Sequence, residues 1–209
     1  MKKYLMIFAL GMMALSTAAF AGTTAVNTNT VSPTLQVSAT IQKAVQLTLS
    51  TGTAAVTHCT VTATGGTPDY TMNFGTVDAL GINAGNCNKF NPATPGVDNA
   101  IYWSDYNMTP VFTSHTATSG TTITAQVTTN FGVSNIFMVR DSVNSSTVPA
   151  SAAAFTALGT ASADTIAGPG VTSGTALTRF IGVAVTPANG ATVGTGAQSA
   201  TVTFTLTVQ

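Results

Sequence analysis

Apolar and polar residues alternate strictly along two parts of the chain. From Leu35 to Leu49 the odd positions are apolar except for Lys43, and the even positions are polar except for Ala44. At the other end, Thr alternates with four apolar residues, which are Val202, Phe204, Leu206 and Val208. A period of two places successive side chains on opposite faces of a β-strand. Each segment therefore predicts a strand with one buried and one wet face.

The first alternating segment is too long for one ordinary strand. A single strand from Leu35 to Leu49 would run for about 50 Å at 3.3–3.4 Å per residue, whereas strands usually have about 5–6 residues. We therefore expect two strands that meet near Lys43, or one strand that serves two places. Leu177–Val185 alternates as well, and the Asn189-Gly190 pair after it is a strong turn signal. This pattern predicts that Leu177–Val185 and Ala200–Val208 are antiparallel neighbours.

Shorter strands are predicted between the two ends of the chain. Gly81–Gly96 is rich in Asn, Gly and Pro and predicts a long loop, and Ser142–Ser173 is low in complexity and predicts a variable surface region. The predicted short strands are Val56–Ala63, Asp69–Phe74, Ala100–Trp103, Thr109–Phe112, Thr121–Val127 and Ile136–Arg140. An abundance of Thr and Val with many turn residues favours an all-β protein. We expect a single immunoglobulin-like or Greek-key β-sandwich.

The N-terminal residues have the organisation of a signal peptide. Lys2 and Lys3 precede an apolar stretch, Tyr4–Leu15, and Ala19-Phe20-Ala21 is a typical cleavage site. We expect cleavage after residue 21, an N-terminal extension over 22–43 and a sandwich domain over 44–209. The apolar stretch is too short for a membrane anchor, so no membrane span is expected after its removal. The protein is then exported, and its two cysteines, Cys59 and Cys87, form one disulfide.

Composition and motifs exclude several functions. Only 6% of the residues are charged, with six cations and six acids in the full chain, so no basic surface is available for nucleic acid. No nucleophile-elbow, zinc-protease or phosphate-loop motif occurs, and His58, Cys59, Cys87 and His115 lack zinc-site spacing. We expect no enzymatic activity, no cofactor and no metal site. Asp69, Asp78, Asp98 and Asp105 lie in Gly- and Asn-rich surroundings and are interpreted as turn residues.

Three features of the chain resemble bacterial fimbrial (pilin) subunits and spore-coat-U-like secreted domains. Cys59-Thr60-Val61 is followed by Met72–Asp78, whose sequence MNFGTVD is similar to a stretch in the spore-coat-U group. The C-terminal strand alternates as pilin C-terminal strands do, and Gly196 is fourteenth from the end, where many pilins have Gly. The chain departs from the pilin pattern at Val208, where Tyr is usual, and in having no Cys near Thr48.

This resemblance implies assembly by donor-strand complementation. In such families a subunit lacks one strand of its sandwich, and the N-terminal extension of a neighbour supplies it. The donor residues here would be Leu35, Val37, Ala39 and Ile41, and the acceptor edge would carry Val202, Phe204, Leu206 and Val208. The implied product is a homopolymeric surface fibre or coat, with passage through the periplasm, a periplasmic chaperone and an outer-membrane assembly protein. The alternative is that Leu35–Ile41 is the first strand of a closed sandwich.

An aromatic segment suggests a second class of function. Tyr102, Trp103 and Asp105 lie close together in the sequence, and exposed aromatic rings beside a carboxylate would suit a sugar ligand. The protein would then be a monomeric adhesin or carbohydrate-binding module. A lone Trp in a sandwich more often packs in the core, which is the competing interpretation.

Overall fold

The computed structural model describes residues 35–39, 44–113, 120–142, 146–187 and 196–208. The predicted signal peptide and most of the predicted extension, including Ile41, lie outside the described residues. Residues 35–39 have no regular secondary structure, and their side chains are exposed. The domain that follows begins at Gln42, and its first described strand begins at Ala44.

The domain is an all-β sandwich, as the sequence predicted. Its eleven described strands are β1 (Ala44–Thr51), β2 (Val61–Ala63), β3 (Tyr70–Met72), β4 (Asn88–Phe90), β5 (Ala100–Thr113), β6 (Thr122–Thr129), β7 (Ile136–Asp141), β8 (Phe155–Ala157), β9 (Asp164–Ala167), β10 (Leu177–Val185) and β11 (Thr201–Thr207). A single 3₁₀ turn, Ala152–Ala154, is the only helical element among these described ranges. Every strand pairing is antiparallel.

The largest sheet has six strands and is organised around β5. Its strands follow the order β1-β5-β10-β7-β8. One edge of β5 pairs with β10, and the other pairs first with β4 and then with β1. Residues 100–108 of β5 are all buried, so this strand is covered on both faces. Such a strand has no alternating pattern, which is why the sequence suggested two shorter strands here.

The main core lies between the six-stranded sheet and a three-stranded sheet of order β11-β6-β9. The large sheet contributes Tyr102, Tyr106 and Met108 from β5 and alternate residues of β7 and β10. The small sheet contributes Ile123, Ala125 and Val127 from β6, with half-buried residues of β11 packed against them. A small hairpin of β2 and β3 forms a third sheet.

A second apolar cluster covers the opposite face of the large sheet. Its buried members are Ile101, Trp103, Val139, Phe155, Phe180 and Ala184. Phe90 and the 3₁₀ turn at Ala152–Ala154 pack against them. Within the described ranges, loops and short elements provide this cover, and no further sheet does.

Three predictions about the chain between the ends are wrong. β10 and β11 are not neighbours, because β10 pairs with β5 and β7 while β11 pairs with β6 in the other sheet. The predicted loop Gly81–Gly96 contains β4. The segment Ser142–Ser173 is not only surface, since it supplies β8, β9 and the buried residues Phe155, Leu158, Ile166, Ala167 and Val171.

Candidate functional site

One side of the sandwich ends in two edge strands. β1 is the last strand of the six-stranded sheet, and β11 is the last strand of the three-stranded sheet. No strand among the described residues of the domain pairs with the outer edge of either. We refer to this side, bounded by β1 and β11, as the open seam. An unpaired strand edge presents backbone donors and acceptors that another strand can bind.

Apolar side chains line the interior of the open seam. On β1, Leu47 and Leu49 are half-buried and pack against the main core, whereas Val45 is 57% exposed. On β11, Val202, Phe204 and Leu206 are half-buried, and the Thr residues between them are exposed. The ring of Phe204 lies 5.6 Å from that of Tyr106. The predicted acceptor residues therefore share one face of an edge strand, and Val208, just beyond β11, is half-buried too.

On the opposite side of the sandwich, a chain connection links the two edge strands. The chain passes from β8 in the large sheet to β9 in the small sheet through a short connection. Within it, Leu158 N–H donates to the Met138 carbonyl (3.2 Å), and Val127 N–H donates to the Gly159 carbonyl (2.9 Å). These two bonds tie the connection to both sheets. β8 and β9 are themselves the last strands of their sheets, but this connection joins them directly, whereas no described connection joins β1 to β11.

The structure describes three of the four predicted donor residues. Leu35 is 87% exposed and Val37 is 81% exposed. Ala39 is exposed as well, and Ile41 lies outside the described residues. The first three donor side chains are therefore accessible.

The predicted disulfide is confirmed. Cys59 and Cys87 are bonded, with their Cα atoms 5.1 Å apart. The bond ties the loop before β2 to the segment before β4. Cys59 is 1% exposed, and its N–H donates to Ser104 Oγ at 2.9 Å.

Asp105, which is buried, and His58, which is partly exposed, form a pair that the sequence did not reveal. Asp105 is fully buried in β5 and is not a turn residue, contrary to its interpretation from the sequence. Its Oδ1 lies 2.6 Å from His58 Nδ1, and its Oδ2 accepts the Ala54 N–H at 2.8 Å. A Cβ at Gly52 would collide with this carboxylate, so the loop approaches closely only because Gly52 has none. The pair holds the 52–59 loop against β5 at the point between its pairing with β4 and its pairing with β1.

The predicted ligand platform does not form. Tyr102 is 1% exposed and Trp103 is 4% exposed. They point to opposite faces of β5, because Tyr102 belongs to the main core and Trp103 to the second cluster. With Asp105 buried as well, these three side chains make no common exposed surface. The competing interpretation, that Trp103 packs in the interior, describes its position.

Asp78 organises the loop that follows the MNFGTVD stretch. Its carboxylate accepts the N–H groups of Leu80 (2.8 Å), Ile82 (3.1 Å) and Asn83 (2.6 Å). Burial alone would raise the pKa of Asp78, but these three bonds and the Tyr102 hydroxyl lower the pKa overall. Burial also raises the pKa of the Tyr102 hydroxyl. Asp78 is therefore a loop-forming residue, in agreement with its interpretation as a turn residue.

In the described ranges, no three His, Cys, Asp or Glu side chains come together in a way that would hold a metal ion. No helix in that part of the chain is long and apolar enough to cross a membrane.

Comparison with known proteins gives no relative. The chain matches no protein-family model, and no curated protein or solved structure matches it. The structure by itself defines an all-β sandwich with a disulfide and an open seam, and with exposed side chains at residues 35–39.

Proposed function

We propose that this protein is a non-enzymatic structural subunit that assembles with copies of itself by strand donation. The observation that carries the proposal is the open seam, which has two unpaired edge strands with half-buried apolar residues. An incoming strand would gain backbone hydrogen bonds along an edge and would place alternate side chains against the main core. The polymer would be a surface fibre or coat.

The proposed donor is the segment Leu35–Ile41 of a neighbouring copy. Its apolar residues recur at every second position, as the seam requires, and Leu35 and Val37 are largely exposed. For the whole segment up to Ile41 to pair with the edge of β1 in its own chain, Gln42-Lys43 would have to form a two-residue hairpin turn. Such turns favour Gly, Asn or Asp, because they need residues with positive φ. The sequence at 42–43 therefore disfavours a tight hairpin with β1 in the same chain, which agrees with donation to another copy.

The energy of the joint comes from side chains and backbone together. Burying each donor side chain contributes about 1–3 kcal/mol. Four such side chains are of the same order as the roughly 4–15 kcal/mol that association costs. Backbone bonds along the edge add about 0.5–1.5 kcal/mol each. A tight joint therefore requires both the apolar register and the ladder.

The test compares the chain 22–209 with a deletion that starts at Ala44. We expect filaments or SDS-resistant oligomers from the longer chain only, observed by electron microscopy and size-exclusion chromatography. A peptide covering 31–43 should bind the deleted form, and it should block filament growth by the longer chain. Leu35→Asp and Val37→Asp should abolish assembly, whereas Gln36→Asp and Ser38→Asp, on the opposite face of the donor, should leave it intact.

Two results would overturn this proposal. The first is a stable monomer at full length that unfolds when 22–43 is removed, because the segment would then pair within its own chain. The second is assembly that is equally sensitive to Asp at positions 36 and 37, because donation depends on one face of the strand.

The proposal extends to location and assembly partners. The N-terminal pattern supports export, and the disulfide fits an oxidising compartment. An exported subunit with an open seam would need a periplasmic chaperone to cover the edge, and an outer-membrane assembly protein to place the fibre on the surface. Immunogold labelling of intact cells tests the location, and a purely periplasmic protein would contradict it.

A further inference from the structure

The outer face of the six-stranded sheet carries an open groove. It lies on the side away from the main core and has a volume of about 710 Å³. Its floor includes Ile101, Phe137, Val139 and Ala184, which come from three neighbouring strands. Phe90 and Phe155 line it as well. Ligand pockets typically have volumes of about 300–1,000 Å³, so the groove has the size of a small-molecule site.

Aromatic packing holds part of this groove rigidly. The Phe90 ring stacks on Trp103, with ring centroids 5.4 Å apart and an interplanar angle of 19°. Phe155 completes the cluster, at 6.3 Å from Phe90 and 6.0 Å from Trp103. Phe90 and Phe137 remain half-buried, so each keeps some accessible surface. Trp103 is not among the residues that line the groove; it packs beside Phe90 on the same face of the sheet.

Polar side chains from one segment line the same groove. They are Asn91, Asp98 and Asn99, all from the connection between β4 and β5. Asp98 is oriented by Thr94, whose N–H donates to Oδ2 at 2.8 Å. Among the described residues that line the groove, none is Lys, Arg or His, so an anionic ligand would meet no opposite charge from them.

We propose that this groove binds an uncharged saccharide. A sugar ring has apolar C–H faces that pack on aromatic side chains, and hydroxyl groups at its edges that bond to amides and carboxylates. The lining of the groove includes both kinds of surface: the half-buried rings of Phe90 and Phe137, and the polar residues Asn91, Asp98 and Asn99. An apolar peptide would leave these polar residues unused. The carboxylate of Asp98 would repel an anionic ligand.

This site is separate from the open seam. The groove lies on the outer face of the sheet, whereas strand donation uses the edges of β1 and β11. Sugar binding and assembly are therefore tested independently, and either can fail without the other. If both hold, every subunit of the polymer carries a saccharide site.

The test uses the chain 22–209 with lactose, maltose and chitobiose as neutral probes and sialyllactose as the anionic one. Saturation-transfer NMR detects binding, and calorimetry measures Kd. We expect at least one neutral disaccharide to bind more tightly than sialyllactose. Phe137→Leu, which keeps apolar bulk but removes the ring, should weaken binding about tenfold. Asp98→Asn, which keeps an acceptor for Thr94 but removes the charge, should change the preference among the probes.

Matched variants outside the groove control for folding. Phe131→Leu changes a half-buried Phe on the main-core side, and Asp69→Asn changes an exposed Asp in the β2–β3 turn. Neither should alter Kd. Absence of binding to all neutral probes would overturn the proposal, as would equal loss in Phe131→Leu and Phe137→Leu. Binding of the 31–43 peptide that Phe137→Leu abolishes would instead assign the groove to a neighbouring chain.

Discussion

Removing the Asp105 carboxylate should destabilise the domain substantially. Asp105→Ala deprives the Ala54 N–H of its acceptor and His58 of its partner. An orphaned, partly buried N–H costs about 1–3 kcal/mol. His58 is 32% exposed, so water can replace part of its lost bond. We therefore expect a loss of about 2–4 kcal/mol, slightly below the 3–5 kcal/mol typical of a broken, fully buried pair.

Urea unfolding and amide hydrogen exchange measure this loss. Asp105→Asn keeps one acceptor oxygen, so it should lose only about 1 kcal/mol and keep the Ala54 amide protected. A double-mutant cycle with His58→Ala should give a coupling of about 0.5–3 kcal/mol. The exposed Asp69→Ala serves as the control and should be neutral. A loss below about 1 kcal/mol in Asp105→Ala, or no coupling, would refute the assignment of the carboxylate as the anchor of this loop.

Three further predictions concern pH, the disulfide and the central strands. Because the pKa of Asp78 is lowered on folding, its contribution is fully present above its ordinary value of 3.8 and is lost as the pH falls through the folded value. Asp78→Asn should therefore reduce the difference in stability between pH 6 and pH 3, as measured by urea unfolding. The double variant Cys59→Ala/Cys87→Ala opens a link across 28 residues and should lower the free energy of unfolding by about 3–4 kcal/mol, with an unchanged midpoint contradicting a structural role. A Cβ at Gly182 would collide with the backbone of β5, whereas one at Gly66 meets nothing within 4 Å; Gly182→Ala should cost about 1–3 kcal/mol and lower Tm, and Gly66→Ala should not.

The sequence was most informative where one face of a strand is wet. β11 was predicted from the alternation of Val202, Phe204 and Leu206 with Thr, and the structure has that alternation of burial. Leu47 and Leu49 of β1 followed the same rule. Hydrophobic periodicity reports which face is buried, and these edge strands have one buried face each.

Periodicity does not report which strand lies alongside. β10 and β11 were expected to pair because they are consecutive, yet they belong to different sheets. Periodicity also fails to define a strand whose two faces are both buried, as in β5. Asp105 resembled a turn residue because the groups that satisfy it, Ala54 and His58, lie 51 and 47 residues earlier in the chain. No local sequence pattern encodes a partner at that distance. The groove could not be predicted for the same reason, since the residues that line it come from separate segments.

The pairing of β5 with β10 inside the large sheet has a consequence for how the chain folds. β5 pairs with β10, and the side chains of Asn107 and Thr178, which are 71 residues apart, bond across that pairing. The hydrogen bonds between β5 and β10 therefore cannot all form until the chain has been synthesised as far as Val185. Pairings between such distant segments form slowly, because the entropy of closing the loop is lost before any stabilising contact forms. The emerging chain should thus stay open for a long interval, during which it remains threadable through a narrow channel and vulnerable to proteases.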